Sequence, residues 1–390
     1  MIYDTYSQSQ TAYPIVFLVP SIQRDEIKKE YLSPFNVNPE SVLIIQTHQD
    51  RTKKKTSVKE MRKWIDEELA ESLKDVGAEY VFVADAEYFK VLADTQKADA
   101  NLGYVMFSEY GSFKVFYIPN YRTVFADPLK IRSKIAQAIN AFKDCVNGTY
   151  ESPGTGIIKY EYYPKTDVEI QYWLDNLLAM NVPLSIDIEA FSLKHYDAGI
   201  GTITFCWNKC EGIAFPVDYV EDTSVEGFYG RQERNEVRRQ MLRDFFIKYQ
   251  QTAHYHHISY DVTVLVYQLF MKDLIDTEGL LTGLEVMCKD WHDTKLITYL
   301  ATNSCAGNDL GLKAQAQEFA GNYAVDEIKD IRKIPLDTLL RYNLVDGLST
   351  WFVKEKHWDT LIADQQEDIY VNIFKPAIKD IIQMQLTGIP

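Results

Sequence analysis

The sequence predicts an α/β protein in two parts: a front three-layer domain with a mostly parallel sheet, and a second domain built on a mixed sheet. Three observations predict it. Through about residue 145, short apolar runs of strand length alternate with stretches of helical period, the pattern of a parallel sheet flanked by helices. Residues 147–156, "NGTYESPGTG", are rich in Gly, Ser and Pro and read as a linker. Beyond them the pattern changes to closely spaced strands and then to a long helical tail. At 390 residues the chain also exceeds one ordinary core.

In the front part, residues 1–146, "IVFLVP", "SVLIIQ", "AEYVFVA" and "FKVFYIP" read as strands. Between them "IQRDEIKKEYL", "KEMRKWIDEELAESLKDV" and "AEYFKVLAD" carry helical period, and "DPLKIRSKIAQAINAFKDCV" closes the region as an amphipathic helix with Pro128 near its start. In the second part, a strand over 184–190 is followed by "IGTITFCW" and "GIAFPV", joined by the polar turn "NKCE", which predicts an antiparallel meander. A helix over about 233–250 follows, with Val237, Met241, Leu242, Phe245, Phe246 and Tyr249 on its inner stripe. "AHYHHI" is a fourth strand, and from Tyr260 onward the pattern is mostly helical.

A net charge of −15 argues against coating nucleic acid by bulk electrostatics and leaves only local basic faces. Residues 51–63, "RTKKKTSVKEMRK", hold seven bases against one acid around Lys53, Lys54 and Lys55, and Arg231, Arg234 and Arg238 recur at helical spacing. Each reads equally well as a solvated face. Five cysteines without a Cys-x-x-Cys pair indicate reduced thiols and a cytoplasmic setting, the host's if the chain is viral. The N-terminus lacks a basic segment leading into an apolar run, and nowhere do eighteen uncharged apolar residues follow one another, so no membrane partner is expected.

The chemistry concentrates in "VPLSIDIEAFSL", residues 182–193. Period-two geometry puts Asp187 and Glu189 on one face of the strand, where two carboxylates repel and need either bulk solvent or a bound cation such as a divalent metal. Acid-x-acid pairs are cheap: with 56 acidic residues in 390, about eight arise by chance. Asp276 and Glu278 share the spacing, but they lie in "LIDTEGL", off any strand pattern, and read as a solvated turn. Two further acids strengthen the signal. Asp261, in "HHISYDVTVL", falls where the fourth strand passes into a helix, a place where sites on such sheets collect. Asp346, in "IPLDTLLRYNLVDGLSTWFVKEKH", follows Tyr342 by four residues on a helix that starts at Pro335, so the two share a helix face.

"SIDIEAF", "HISYD" and "YNLVD", in this order, resemble the exonuclease motifs of the DEDD superfamily in its tyrosine-bearing branch. "HDTKLITYLATNSCAGNDLGLKAQAQEFAG" and "FKPAIKDIIQMQLTGI" are similar to segments of family A (polymerase I type) DNA polymerases, the second being the one that leads from the proofreading domain into the polymerase domain. The resemblance implies an RNase H-like exonuclease domain over 157–365, a connection to a polymerase domain over 366–390, and 3′→5′ hydrolysis of the single-stranded 3′ end of DNA by two Mg²⁺ or Mn²⁺ ions. It implies that Asp187 bridges the metals, that Glu189 and Asp346 complete the nucleophile-side site, that Asp261 serves the other, and that Tyr342 orients the attacking water. His257 stands where family members commonly carry asparagine; it and Tyr260 are the implied substrate contacts. The same acids would serve an independent DEDD nuclease acting on RNA or DNA. A non-enzymatic relic has no reason to keep all five residues. On the polymerase reading, Ile378, Ile381, Ile382 and Leu386 form an apolar stripe that awaits a partner beyond the chain.

"RKWIDEELAES", "AEYVFVADAEYFKVL" and "VFYIPNYRTVFADPLKIRSKIAQAI" are similar in order to the uracil-DNA glycosylase superfamily. Its glycine-rich first motif is absent from "LVPSIQRDE", and Ile118 stands where its catalytic histidine is expected, so the resemblance implies a noncatalytic module. Lys53, Lys54 and Lys55 would then contact DNA or a partner.

Overall fold

The computed structural model describes residues 1–7, 10–48, 56–302, 309–323 and 328–388, and divides the chain into two compact units, Met1–Thr155 and Gly156–Pro390. Lys53, Lys54 and Lys55 lie outside the described residues.

The first unit holds strands β1 (Tyr3–Thr5), β2 (Ile15–Val19), β3 (Val42–Gln46), β4 (Tyr80–Val83), β5 (Met106–Ser108) and β6 (Gly111–Tyr117). The sheet order is β1-β3-β2-β4-β6-β5; the inner pairs are parallel, and the edge strands β1 and β5 are antiparallel. Both edges escaped the sequence pattern because each is three residues long. Helices α1 (Arg24–Ile27), α2 (Val58–Trp64), α3 (Ala70–Asp75), α4 (Ala86–Leu92) and α5 (Pro128–Asn147) flank the sheet. Ser57 and Glu60 close a reciprocal capping box at the start of α2. The parallel register sets Phe17, Phe82 and Phe116 side by side on β2, β4 and β6, with ring centroids 4.7 and 5.1 Å apart, and this stacked row fills the core.

The second unit contains β7 (Tyr160–Tyr162), α6 (Asp167–Met180), β8 (Leu184–Glu189), α7 (His195–Ala198), β9 (Thr202–Asn208) and β10 (Glu211–Pro216). A small hairpin, β11 (Tyr219–Glu221) and β12 (Gly230–Gln232), precedes α8 (Glu236–Lys248), β13 (Ala253–Tyr255), α9 (Ile258–Phe270), α10 (Thr277–Met287) and β14 (Trp291–Asp293). Helices α11 (Thr294–Ala301), α12 (Leu312–Ala320), α13 (Leu336–Ala363), α14 (Glu367–Ile369) and α15 (Lys375–Thr387) complete it. The sheet order is β14-β13-β8-β9-β10-β7: an antiparallel meander of β8, β9 and β10, with β13 and β14 added parallel on the β8 side. This is an RNase H-like mixed sheet.

Several expectations need correction. β14 interrupts the stretch read as helical, because a three-residue strand buried beside β13 shows no periodicity. Val237 is exposed on α8, and the inner face is completed instead by Arg239, whose guanidinium is buried against Asp218. Arg231, Arg234 and Arg238 form no basic helix face: Arg231 lies on β12, Arg234 precedes the helix, and acids Asp222, Glu233, Glu236 and Asp167 neutralise all of them. Asp276 and Glu278 sit at a helix start, where Asp276 caps α10 by accepting from the Gly279 amide. The stripe on α15 is covered within the unit, since Ile382 and Leu386 are buried in the core formed with α9 and α10. Ile381 stays exposed. Among the described residues, no helix is long and apolar enough to cross a membrane.

Candidate metal centre

β8 supplies the first two acids. Its pleat turns Leu184, Ile186 and Ile188 into the core and presents Asp187 and Glu189 on the opposite face, where each keeps some exposure. On β9 the residues paired with them are Thr204 and Thr202, so the neighbouring positions are small and polar. α13 crosses this face. Gly347 lets it lie close: a Cβ there would stand 2.7 Å from Cys206 Sγ and 2.8 Å from Thr204 Cγ2. That close approach delivers the preceding residue, Asp346, to the strand. Carboxylate oxygens of Asp187, Glu189 and Asp346 all lie within 4.8 Å of one another.

Asp261 is not part of that three-acid set. β13 pairs with β8 only at Leu184 and Ser185; beyond this the two strands part, leaving β8 amides without a strand partner on that side. Asp261, in the first turn of α9, fills the gap and accepts from the Ile188 amide at 3.3 Å. Its carboxyl thus sits on the backbone between Asp187 and Glu189. The start of α9 is fixed by Asp293, which accepts from the amides of His257 and Ile258 at 3.1 and 3.0 Å and also caps α11. Sequence reading missed Asp293, although "HDTK" carries the signal of an acid before a helix.

His257 adopts a left-handed conformation, φ 69°, which asparagine tolerates better than histidine. Its side chain is exposed, at the turn into α9. Tyr260 donates to the Ser192 carbonyl at 3.1 Å, and burial, then the charges of Asp261, Glu189 and Asp187, push its phenol up. Tyr342 stands one turn before Asp346 on α13, partly exposed, its ring 5.8 Å from that of Tyr323.

Three further residues, unanticipated in the sequence, shape the centre. Asn343 is fully buried; its amide donates to Asp187 at 2.7 Å while its carbonyl accepts from Thr202 at 3.0 Å, fixing which way Asp187 points. Tyr323 donates to Asp346, and Lys313 on α12 pairs with the same carboxylate. Asn343 was within reach of the sequence, lying three residues before Asp346. Lys313 and Tyr323 were not, because only the packing of α12 on α13 brings them to the site.

The electrostatics show a centre short of positive charge. Burial pushes Asp187 up to about 6, opposed by the charge of Lys313 and the bond from Asn343. Burial, and then the charge of Asp187, pushes Glu189 up to about 8. Asp261 is driven well above the carboxylate range, first by burial and then by Asp187. Burial brings Lys313 down to about 8 against the pull of Asp187 and Glu189. An all-oxygen, multiply anionic donor set of this kind fits a hard divalent cation such as Mg²⁺ or Mn²⁺.

No protein-family model and no curated protein matches the chain. Among solved structures it is similar to Brucella melitensis NrnC with bound Mg²⁺, at 14% identity over 59% of this chain and 90% of that one, with a TM-score of 0.33. It is similar to Escherichia coli RNase D, an exoribonuclease involved in structured RNA processing, at 13% identity over 59% and 52% of the two chains (TM-score 0.35). The catalytic core of RRP6 from Trypanosoma brucei is likewise similar, at 10% identity over 61% and 55% (TM-score 0.34).

Proposed function

We propose that the second unit is a metal-dependent exonuclease that hydrolyses the terminal phosphodiester of a nucleic acid from its 3′ end. The observation that carries this reading is the convergence of Asp187, Glu189 and Asp346 within 4.8 Å, in the lap of a mixed sheet and one helical turn from Tyr342. On this reading Asp187, Glu189 and Asp346 would hold one ion, and Asp187 with Asp261 would hold a second. Bound there, Mg²⁺ or Mn²⁺ would supply a nucleophile at neutral pH and neutralise charge on the leaving oxygen. Asn343 keeps Asp187 oriented, and Tyr342 orients the attacking water. His257, at the turn into α9, and Tyr260, in its first turn, line the approach of the 3′-terminal nucleotide.

The nuclease is read as acting in its own right on DNA or RNA. Service as the proofreading part of a family A DNA polymerase is the second reading, favoured by the segment 374–389 and by the texture of 292–321. The burial of Ile382 and Leu386 within the unit removes the argument that α15 needs an outside partner. For the first unit a noncatalytic role is the reading kept: Ile118, where the resemblance would put a catalytic histidine, is fully buried in its core.

Single strands of DNA and RNA labelled at the 3′ or the 5′ end, incubated with Mg²⁺ or Mn²⁺, test the proposal. Release of labelled mononucleotide from the 3′ end first, lost in Asp187→Ala and Asp261→Ala, is expected. Undiminished activity in both variants would sink it, and a preference for RNA would remove the proofreading reading.

A further inference from the structure

Lys313 is an unusual residue for its position. It lies in the first turn of α12, where the helix dipole disfavours a cation, and that helix start carries no side-chain cap. Its ammonium is instead drawn to the metal centre. It pairs with Asp346, donates to the Tyr323 hydroxyl at 2.9 Å, and stands 4.5 and 4.3 Å from the ring centroids of Tyr323 and Tyr342. The carboxylate it holds is one of the three whose oxygens converge. A divalent ion binding Asp346 therefore meets a carboxylate whose Oδ1 already carries an ammonium and a phenol.

We propose that Lys313 is a displaceable internal cation that competes with the divalent metal for Asp346, so that metal affinity is set by how readily the lysine leaves. This inference rests on the nuclease reading of the site. A lysine suits such a role because its charge is compact and its four-carbon stem flexible, so the ammonium can withdraw without moving α12. The two tyrosine rings offer it a resting place once the carboxylate is taken, since a cation is attracted to a ring face. In the metal-free protein the lysine offsets part of the repulsion among the acids, which keeps the centre assembled before an ion arrives.

The test is the affinity for Mn²⁺ without nucleic acid, measured by calorimetry or by the loss of the free-ion paramagnetic resonance signal. Lys313→Met should bind Mn²⁺ about tenfold more tightly than the natural protein, within the range of interaction energies between groups of one salt-bridge network. Lys313→Arg, which retains the charge and grips a carboxylate in a planar fork, should bind no more tightly than the natural protein. The difference between Lys313→Met and the natural protein should shrink when both carry Asp346→Asn, leaving only what the charge of Lys313 does to Asp187 and Glu189. Equal affinity in Lys313→Met and the natural protein, with binding still lost in Asp187→Ala, would overturn the inference and leave the nuclease reading in place. Absence of Mn²⁺ binding that depends on Asp187 in every variant would overturn both. Should Lys313→Met not fold, tighter binding by Lys313→Arg than by the natural protein would by itself overturn the competition.

Discussion

Asp187 couples to every other acid of the centre: it converges with Glu189 and Asp346, its charge raises both Glu189 and Asp261, and Asn343 holds one of its oxygens at 2.7 Å. Asp187→Ala should therefore lower the nuclease rate by at least about a thousandfold, the scale of several kcal/mol of lost transition-state stabilisation. Tyr342→Phe, which removes a hydroxyl and leaves the acids in place, should cost less; single-turnover rates on a labelled strand decide both. The raised carboxyl groups also make a prediction about pH. Asp187 at about 6 and Glu189 at about 8 bind protons more tightly in the folded state than in the unfolded chain. Their contribution to stability is thus complete below the unfolded value near 4 and is lost as pH rises through 6 and 8. Lys313, lowered to about 8, acts with the opposite sign, its penalty easing only above that pH. The melting temperature of the metal-free protein should fall between about pH 5 and pH 8, and saturating Mn²⁺ should raise it more at the upper end, where protons no longer occupy the acids. A melting temperature flat across that range in EDTA would contradict the burial of these groups.

At the level of elements, one contact holds the centre in shape and another the body of its unit. α13 carries Tyr342, Asn343 and Asp346 and can approach β9 only because residue 347 has no Cβ. Gly347→Ala should cost about 1–3 kcal/mol of overpacking, and should reduce activity beyond what its stability loss explains, because the displaced helix takes Asp346 with it. Chemical denaturation and rate measured on one preparation separate the two effects. The other contact is the buried pair Arg239–Asp218, in which Asp218 also accepts from the amides of Ile200 and Asn235 at 2.8 and 2.9 Å. Arg239→Met strands a buried carboxylate and should destabilise the second unit by about 3–5 kcal/mol in equilibrium unfolding.

For the whole molecule, the two units have separate cores and separate prospects. The first places an isoleucine, wholly buried, where its sequence resemblance would put a catalytic histidine. Incubation with uracil-containing DNA should therefore produce no abasic sites; their appearance, abolished by removal of residues 1–146, would refute the noncatalytic reading. The chain's acids, by contrast, were legible from the start. Asp187 and Glu189 share a strand face because the pleat has period two, and Tyr342 and Asp346 share a helix face because the helix repeats every 3.6 residues; sequence alone determined both, since both are properties of local geometry. The four inner strands of the first unit and the meander in the second were equally local, resting on strand-length apolar runs and polar turns; the order β3-β2-β4-β6 was not. Other features were decided only in the tertiary structure. β14 exists because β13 offers it a partner, Asp261 reaches Ile188 because β13 and β8 part, and Lys313 meets Asp346 because α12 packs on α13. The pairing of Arg231 with Asp222 and of Arg238 with Asp167 and the covering of Ile382 and Leu386 belong to the same class. In each the two partners lie far apart in sequence or on different elements. Their encounter follows from burial of apolar faces elsewhere, which carries no periodic signature at the residues themselves.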